Sequence, residues 1–254
     1  MSESAVLLRG IEITRRWGGL VALNKVSLDL ERSSVHAVIG PNGAGKSTLI
    51  NILSGEIDPS SGRIELLGQD VTSWAQPRRA RAGLGRSYQR NTVYPSFSVL
   101  ENCRLAAQMR LPKPWAFWQD AQGCQVSKQM ARDAAGRAGL TKLLERTAGL
   151  LSHGQKRQLE IAMCLATGPE VLLLDEPLAG MGAEETERMI ALLAELKDDH
   201  AVLLVEHDMD AVFRIADRIT VMVNGAVIAS GPPDFVRSNA AVRVAYLGED
   251  NDEQ

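Results

Sequence analysis

Cysteine is scarce. Cys103, Cys124 and Cys164 are the only three in 254 residues, their number is odd, and no CxxC pair occurs. That argues against a disulfide framework and leaves buried or incidental thiols in a reducing compartment. Long apolar runs are missing too. Stretches such as VLLL and AVLLV are strand-sized, far short of the roughly 18 apolar residues of a membrane span. Work at a membrane would therefore require docking on another chain. The start, MSESAVLLRG, lacks a basic region followed by an apolar one, so no secretory signal is expected. Charge of one sign is not in excess either. The net charge of −3 gives no ground for nucleic acid or an anionic membrane as the main partner. There is no internal repeat and no heptad run.

What is present is an ordinary globular composition, 45% hydrophobic and 23% charged, with enough apolar material for a sizeable core. Between residues 6 and 39 the stretches LLRGIEIT, KVSLDL and VHAVIG read as strands. GPNGAGKSTLINILSG follows as a glycine-rich turn running into a helix that stops at Gly55. GRIELLG reads as another strand. From about 95 to 165 the pattern becomes helical, in SVLENCRLAAQMR and again from Ala121 to Leu144, with the Pro- and Trp-rich break LPKPWAFWQDAQG between. Strands return after 168 in EVLLLDEP and AVLLVEHD, with helices expected around 184–197 and 209–216. Asn-Gly within ITVMVNGAVIAS predicts a hairpin. The acidic tail GEDNDEQ is expected to fray. The order predicts an α/β core with a helical subdomain inserted in it.

GPNGAGKST, Gly40 to Thr48, fits G-x-x-x-x-G-K-[ST] between a strand and a helix, the context that motif requires. Glycines let backbone N–H groups approach phosphate oxygens, and the helix start adds its positive end. Lys46 supplies a charge for β and γ phosphates, and Ser47 a hydroxyl for Mg²⁺. In VLLLDE, residues 171–176, a buried strand delivers two carboxylates at its C-terminal end, where ligands of open α/β sheets sit. Asp175 suits the Mg²⁺ shell, and Glu176 suits polarising an attacking water. AVLLV ends likewise, at Glu206 and His207. A lone histidine is most often structural, but this one is delivered to the same sheet edge, which makes it a candidate γ-phosphate sensor. It has no second histidine at metal-ligand spacing, so a zinc reading fails.

LSHGQ, residues 151–155, precedes the helical run KRQLEIAMCLA. Ser152 and Gln155 satisfy the capping-box pattern, which by itself explains the helix start. Gly154 serves no capping purpose and weakens the first turn. It suits close approach of something to the backbone, so this helix start reads as a second anion site.

Together these segments resemble the nucleotide-binding subunit of an ABC transporter. The P-loop is GPNGAGKST (Gly40, Pro41, Asn42, Gly43, Ala44, Gly45, Lys46, Ser47 and Thr48), the signature is LSHGQ, and the Walker B segment is LLLDEP. The Q-loop glutamine is Gln89 in RSYQR, and the switch histidine is His207. They occur in the family's order and span most of the chain. The resemblance implies a P-loop NTPase (RecA-like) core, an N-terminal antiparallel β subdomain and an inserted helical subdomain at about 95–165. It also implies ATP and Mg²⁺ as ligands. Two such subunits would pair head to tail, so that Ser152, Gly154 and Gln155 of one close over the ATP held by the other. Trp17 falls where the family's adenine-stacking aromatic stands, with a packed strand aromatic as the alternative. Gln89 would link Mg²⁺ and the attacking water to the helical subdomain. Two positions depart from the pattern. His153 replaces the first glycine of the signature pair, and Gly182 stands at the D-loop aspartate position, which questions cross-talk between the two sites or suggests an asymmetric pair.

HGQKRQLEIA, VEHDMDAVF and VAYLGED resemble the ATPases of branched-chain or hydrophobic amino-acid importers. In that family two different ATPase subunits, two permease subunits and a periplasmic binding protein work together, which would fit an asymmetric D-loop. The resemblance leaves open whether this chain pairs with itself or with a second ATPase. Such a subunit would sit peripherally on the cytoplasmic side of the membrane. A lipopolysaccharide-transport ATPase is the alternative within transporters, and a soluble ribosome- or DNA-associated ATPase the alternative outside them. Trp115, Phe117 and Trp118 are candidates for a permease contact, or for covering the helical subdomain's own core.

Overall fold

The chain opens with two long antiparallel strands, β1 (Val6–Trp17) and β2 (Leu20–Glu31), joined by Gly18 and Gly19. With β4 (Ser61–Leu66) and the short β5 (Gln69–Asp70) they form an antiparallel sheet in the order β2-β1-β4-β5. The second sheet has the order β10-β9-β3-β8-β7-β6. Its strands are β3 (Val35–Ile39), β6 (Leu84–Arg86), β7 (Val171–Asp175), β8 (Ala201–Val205), β9 (Arg218–Val223) and β10 (Ala226–Gly231). All its neighbours run parallel except β9 and β10, the hairpin predicted from Asn-Gly. The computed structural model describes residues 6–88, 93–111 and 124–247.

β7 and β8 are wholly buried, as unbroken apolar runs of a parallel sheet should be. Their side chains alternate between two apolar clusters. Val171, Leu173, Ala201, Leu203 and Val205 face a cluster shared with the antiparallel sheet and α1 (Lys46–Ser54). Leu172, Leu174, Val202 and Leu204 face a cluster shared with the helices α3 (Val99–Ala107), α4 (Gln125–Arg137), α5 (His153–Ala166) and α6 (Ala183–Leu196). The sheet is thus sandwiched, and one edge of its strand ends is left free to carry function.

Local signals explain most boundaries. Gly55 ends α1 in the left-handed region, φ 81°, with its N–H returning to Asn51 and Ile52. Ser98 caps α3 by accepting the Glu101 amide. The helical stretch predicted from Ala121 to Leu144 is shorter than its periodicity suggested: α4 stops at Arg137, Gly139 takes φ 76°, and residues 141–143 form a separate 3₁₀ turn. The short helices α2 (Gln76–Arg81) and α8 (Pro233–Ser238), like β6, carry no legible periodicity and went unpredicted. α7 (Met209–Ile215) follows β8. In α2, the fully buried Arg79 donates to the carbonyls of Ile52, Leu53, Thr72 and Trp74, which closes the C-terminal end of α1. Among the described residues no helix is long and apolar enough to cross a membrane.

Candidate functional site

Three strands finish level with one another. Val38 of β3 pairs with Val205 of β8, and Val205 pairs with Asp175 of β7. The chemistry-bearing residues follow immediately: the loop from Gly40, the Glu176 turn, and Glu206–His207. Register alone therefore gathers three separated sequence segments at one edge.

The loop Gly40–Gly45 leads into α1, which begins at Lys46 with no side-chain cap and no acidic residue in its first turn. Its backbone donors are left for a ligand. Gly45 sits at φ 100°, and a Cβ there would lie 2.7 Å from the Ala22 carbonyl oxygen. At Gly40 a Cβ would lie 2.2 Å from the Met222 carbonyl oxygen. Only glycine fits at either position. The hairpin tip Asn224–Gly225, with φ of 48° and 77°, braces the loop. The Gly225 amide donates to Ala44 O at 3.0 Å, and Gly225 O accepts from the Asn24 amide at 2.8 Å.

A cleft of about 490 Å³ opens over this loop, lined by Leu20, Val21, Ala22, residues 42–48, Glu176 and Asn224. Lys46 is buried, and its Nζ donates to Gly40 O at 2.6 Å and Pro41 O at 3.1 Å. Burial lowers its ammonium below the usual range, and the Glu176 and Asp175 carboxylates oppose that shift. Asp175, 5% exposed, has its carboxyl raised by burial, with Arg86, Lys46 and Arg157 opposing and Glu176 adding to it. Its amide donates to Ser87 Oγ at 3.2 Å.

Glu176 adopts φ 48°, the left-handed region that ordinary residues avoid. Its amide is held by Val205 O at 2.9 Å, which fixes the turn that aims its side chain. His207 is largely exposed, with Nδ1 4.0 Å from Glu176 Oε1 and 3.9 Å from Glu206 Oε2. Glu206 is fully buried. Its Oε1 accepts the Leu178 amide at 2.8 Å and its Oε2 the His207 amide at 3.2 Å. Burial raises its carboxyl, and those two amides oppose the shift.

Trp17 closes the β1–β2 hairpin, pairs with Leu20 and is 42% exposed, with the Arg15 guanidinium 4.9 Å above its ring. It borders the cleft wall begun by Leu20 but does not itself line the cleft. Gln89 lies outside the described residues, as do Trp115, Phe117 and Trp118. The carbonyl of Tyr88 accepts from Arg157 of α5 at 3.0 Å, so Tyr88 is tied to that helix.

Ser152, Gly154 and Gln155 line a separate recess with Met181, Glu185 and Arg188. The capping box is present in full: Ser152 Oγ accepts the Gln155 amide at 3.2 Å, and Gln155 Oε1 accepts the Ser152 amide at 3.0 Å. His153 rests against Gly180, its Cε1 3.4 Å from where a Cβ would stand. Gly182 is the extended residue before α6, at φ −75°, with nothing within 4 Å of an added Cβ.

Sequence reasoning did not assign roles to Glu206, Ser87, Asn224, the wall Leu20–Ala22 or Glu185. Asn224 was visible as a turn residue, and Glu206 as a carboxylate at a strand end. Their contacts depend on strands far away in sequence.

The donor set fits a hard cation. Ser47 and Asp175 offer a hydroxyl and a carboxylate oxygen. Among the described residues no group of three His, Cys, Asp or Glu side chains forms a cage. Two oxygen donors with the remaining positions left to phosphate and water is how Mg²⁺ is usually held.

Known proteins are similar to this chain in sequence and fold. The ABC transporter family matches residues 23–179, and the family described as branched-chain amino acid ATP-binding cassette transporter matches residues 226–252. The chain is similar to the high-affinity branched-chain amino acid transport ATP-binding protein BraF of Pseudomonas aeruginosa, at 39% identity over 93% of this chain and 96% of that one. LivG of Escherichia coli, a protein of the same description, is 38% identical over 98% of this chain and all of its own length. A solved ATP-binding cassette of an ABC transporter in its ADP conformation superposes with a TM-score of 0.86 at 30% identity, covering 96% of this chain and 100% of that one. A nucleotide-free cassette gives 0.85 at 29%, covering 95% and 99%. The chain is an ABC-type ATPase and belongs to the ABC transporter family, among the branched-chain amino acid transport ATP-binding proteins.

Proposed function

We propose that this ATPase powers uptake of branched-chain amino acids or a related small polar solute. It would act as one of two ATPase subunits paired head to tail beneath two permease subunits, at the cytoplasmic face of the membrane, with a periplasmic binding protein supplying the solute. The observation that supports the ATPase part is the level finish of β3, β7 and β8, with Lys46 and Glu176 lining one cleft and His207 Nδ1 4.0 Å from Glu176 Oε1. The names of BraF and LivG carry the solute class.

ATP enters with its base toward Trp17 and its phosphates over Gly43–Thr48. Lys46 exchanges the Gly40 and Pro41 carbonyls for phosphate oxygens, so the resting hydrogen bonds keep a buried ammonium satisfied until substrate arrives. Ser47, Asp175 and Gln89 would hold Mg²⁺, which would supply charge neutralisation at the phosphates. Glu176 polarises the attacking water, its carboxylate aimed by the strained turn, and His207 orients the γ-phosphate. Catalysis here is positioning and charge stabilisation, with no covalent step on the protein. Ser152, Gly154 and Gln155 of the opposing subunit complete the cage.

An apolar groove between the core and the helices, lined by Pro77, Ala80, Leu84, Ala106, Met109 and Met163, offers a seat for a permease segment. Tyr88 also lines it, and the Tyr88 carbonyl accepts from Arg157 of α5.

The test is affinity purification of Glu176→Gln with ATP from native membranes. Two permeases and a second, distinct ATPase are expected. Ribosomal or DNA-associated material without any membrane protein would overturn the transport reading and leave the ATPase chemistry standing.

A further inference from the structure

Ser152 has one hydroxyl proton, and it is already committed. While its Oγ accepts the Gln155 amide, it donates to Glu185 Oε1 of α6 at 2.9 Å. Glu185 lies closer still to the helix start: a Cβ on Gly154 would stand 2.6 Å from its Cδ and 2.8 Å and 3.0 Å from its two oxygens. The glycine in LSHGQ therefore makes room for a carboxylate of the same chain. An anion already rests against the first turn of α5, where the peptide dipoles and free N–H groups favour one.

We infer that Glu185 is a resident stand-in for the γ-phosphate at the signature helix, and that closure on nucleotide requires its displacement. The inference rests on the proposed role of Ser152 and Gly154 toward the opposing subunit's ATP. A phosphate arriving there needs the Ser152 proton that Glu185 holds, and a carboxylate left in place would repel it. Displacement has a destination on the same helix. Arg188, three residues on, lines the same recess and pairs with Glu184 at 3.4 Å. Glu185 is thus a positioning residue. It keeps Ser152 oriented and the helix start satisfied when nucleotide is absent, and it raises the nucleotide concentration needed for closure.

Removing it should make closure easier. In the Glu176→Gln background, Glu185→Ala should lower the ATP concentration for half-maximal dimerisation, read by light scattering, by about two- to fivefold, the range of a partly exposed charge interaction. Glu185→Gln, which keeps the shape and drops the charge, should give part of that gain. Unchanged or weaker ATP-driven dimerisation in Glu185→Ala, with thermal unfolding like the parent's, would overturn the inference, while the parent's own dimerisation upholds the ATP-driven head-to-tail closure on which it rests. If the Glu176→Gln parent fails to dimerise with itself, pairing of identical subunits fails. The inference is then decided on the single chain, by following the Gly154 amide in NMR during titration with inorganic phosphate. A shift at lower phosphate in Glu185→Ala supports it, and identical titrations overturn it.

Discussion

Glu206 accepts the backbone N–H of Leu178 at 2.8 Å, a bond from the end of β8 to the turn that follows Asp175 and Glu176. The same carboxylate accepts the His207 amide, so one buried side chain fixes the relative position of two catalytic candidates. Glu206→Ala leaves the Leu178 donor without its acceptor inside the protein. The expected loss of stability is about 1–3 kcal/mol, with a fall in ATP turnover. Glu206→Gln keeps one acceptor oxygen and removes a buried charge, so it should lose less of both. Thermal unfolding and ATPase rates of the two variants, both matching wild type, would show the tie to be idle.

The proposed roles of Lys46 and Glu176 separate binding from chemistry. Glu176→Gln should bind ATP and hydrolyse it about 10²–10⁴ times more slowly, the usual contribution of a positioned base. Lys46→Ala should lose nucleotide binding, because its ammonium answers the phosphates directly. Titration of ATP against intrinsic tryptophan fluorescence, with Trp17 as reporter, measures the first step and phosphate release the second. Near-normal turnover in Glu176→Gln would remove it as the base.

His36 supplies a pH dependence of folding. It is buried in β3, bonded to Asp29 O at 2.9 Å and Thr220 Oγ1 at 2.8 Å, and burial lowers it from 6.5 to about 4. A base lowered on folding favours the unfolded state once protons are abundant. Its contribution is intact above pH 6.5 and is lost as pH falls from there toward 4, by about 3 kcal/mol in all. Urea unfolding of wild type and His36→Gln across pH 4–7.5 should show that extra slope in wild type alone.

The three thiols should divide by reactivity. Burial raises Cys103 and Cys164 to about 12, whereas Cys124 is partly exposed and its thiol is lowered, chiefly by the Ser127 amide. Iodoacetamide at pH 8 should label Cys124 in the native protein and the other two only after unfolding. Mass spectrometry of labelled peptides checks the order.

Gly182 leaves room where the family pattern has aspartate. Gly182→Asp should be accommodated and should add a side-chain cap to α6, a gain of a few tenths of a kcal/mol. A lowered melting temperature would show that the position selects against a side chain for a reason beyond space.

The sequence by itself determined the elements whose physics is local. The GPNGAGKST turn and its helix, the Gly55 stop, the Asn224–Gly225 hairpin and the Ser152–Gln155 capping box each depend on neighbours a few residues apart, and all are present. Unbroken apolar runs likewise marked β7 and β8 as buried strands, and their last residues as candidates for chemistry. Only the tertiary structure decided what these pieces do to one another. Val38, Val205 and Asp175 align through strand register across more than 160 residues of chain, and no local pattern encodes which strands will be neighbours. The same holds for Glu206 on Leu178, Gly225 on Ala44 and Glu185 on Ser152. Each is a single hydrogen bond between segments brought together by burial of apolar faces. Burial is non-directional and leaves no mark on the residues that it happens to juxtapose.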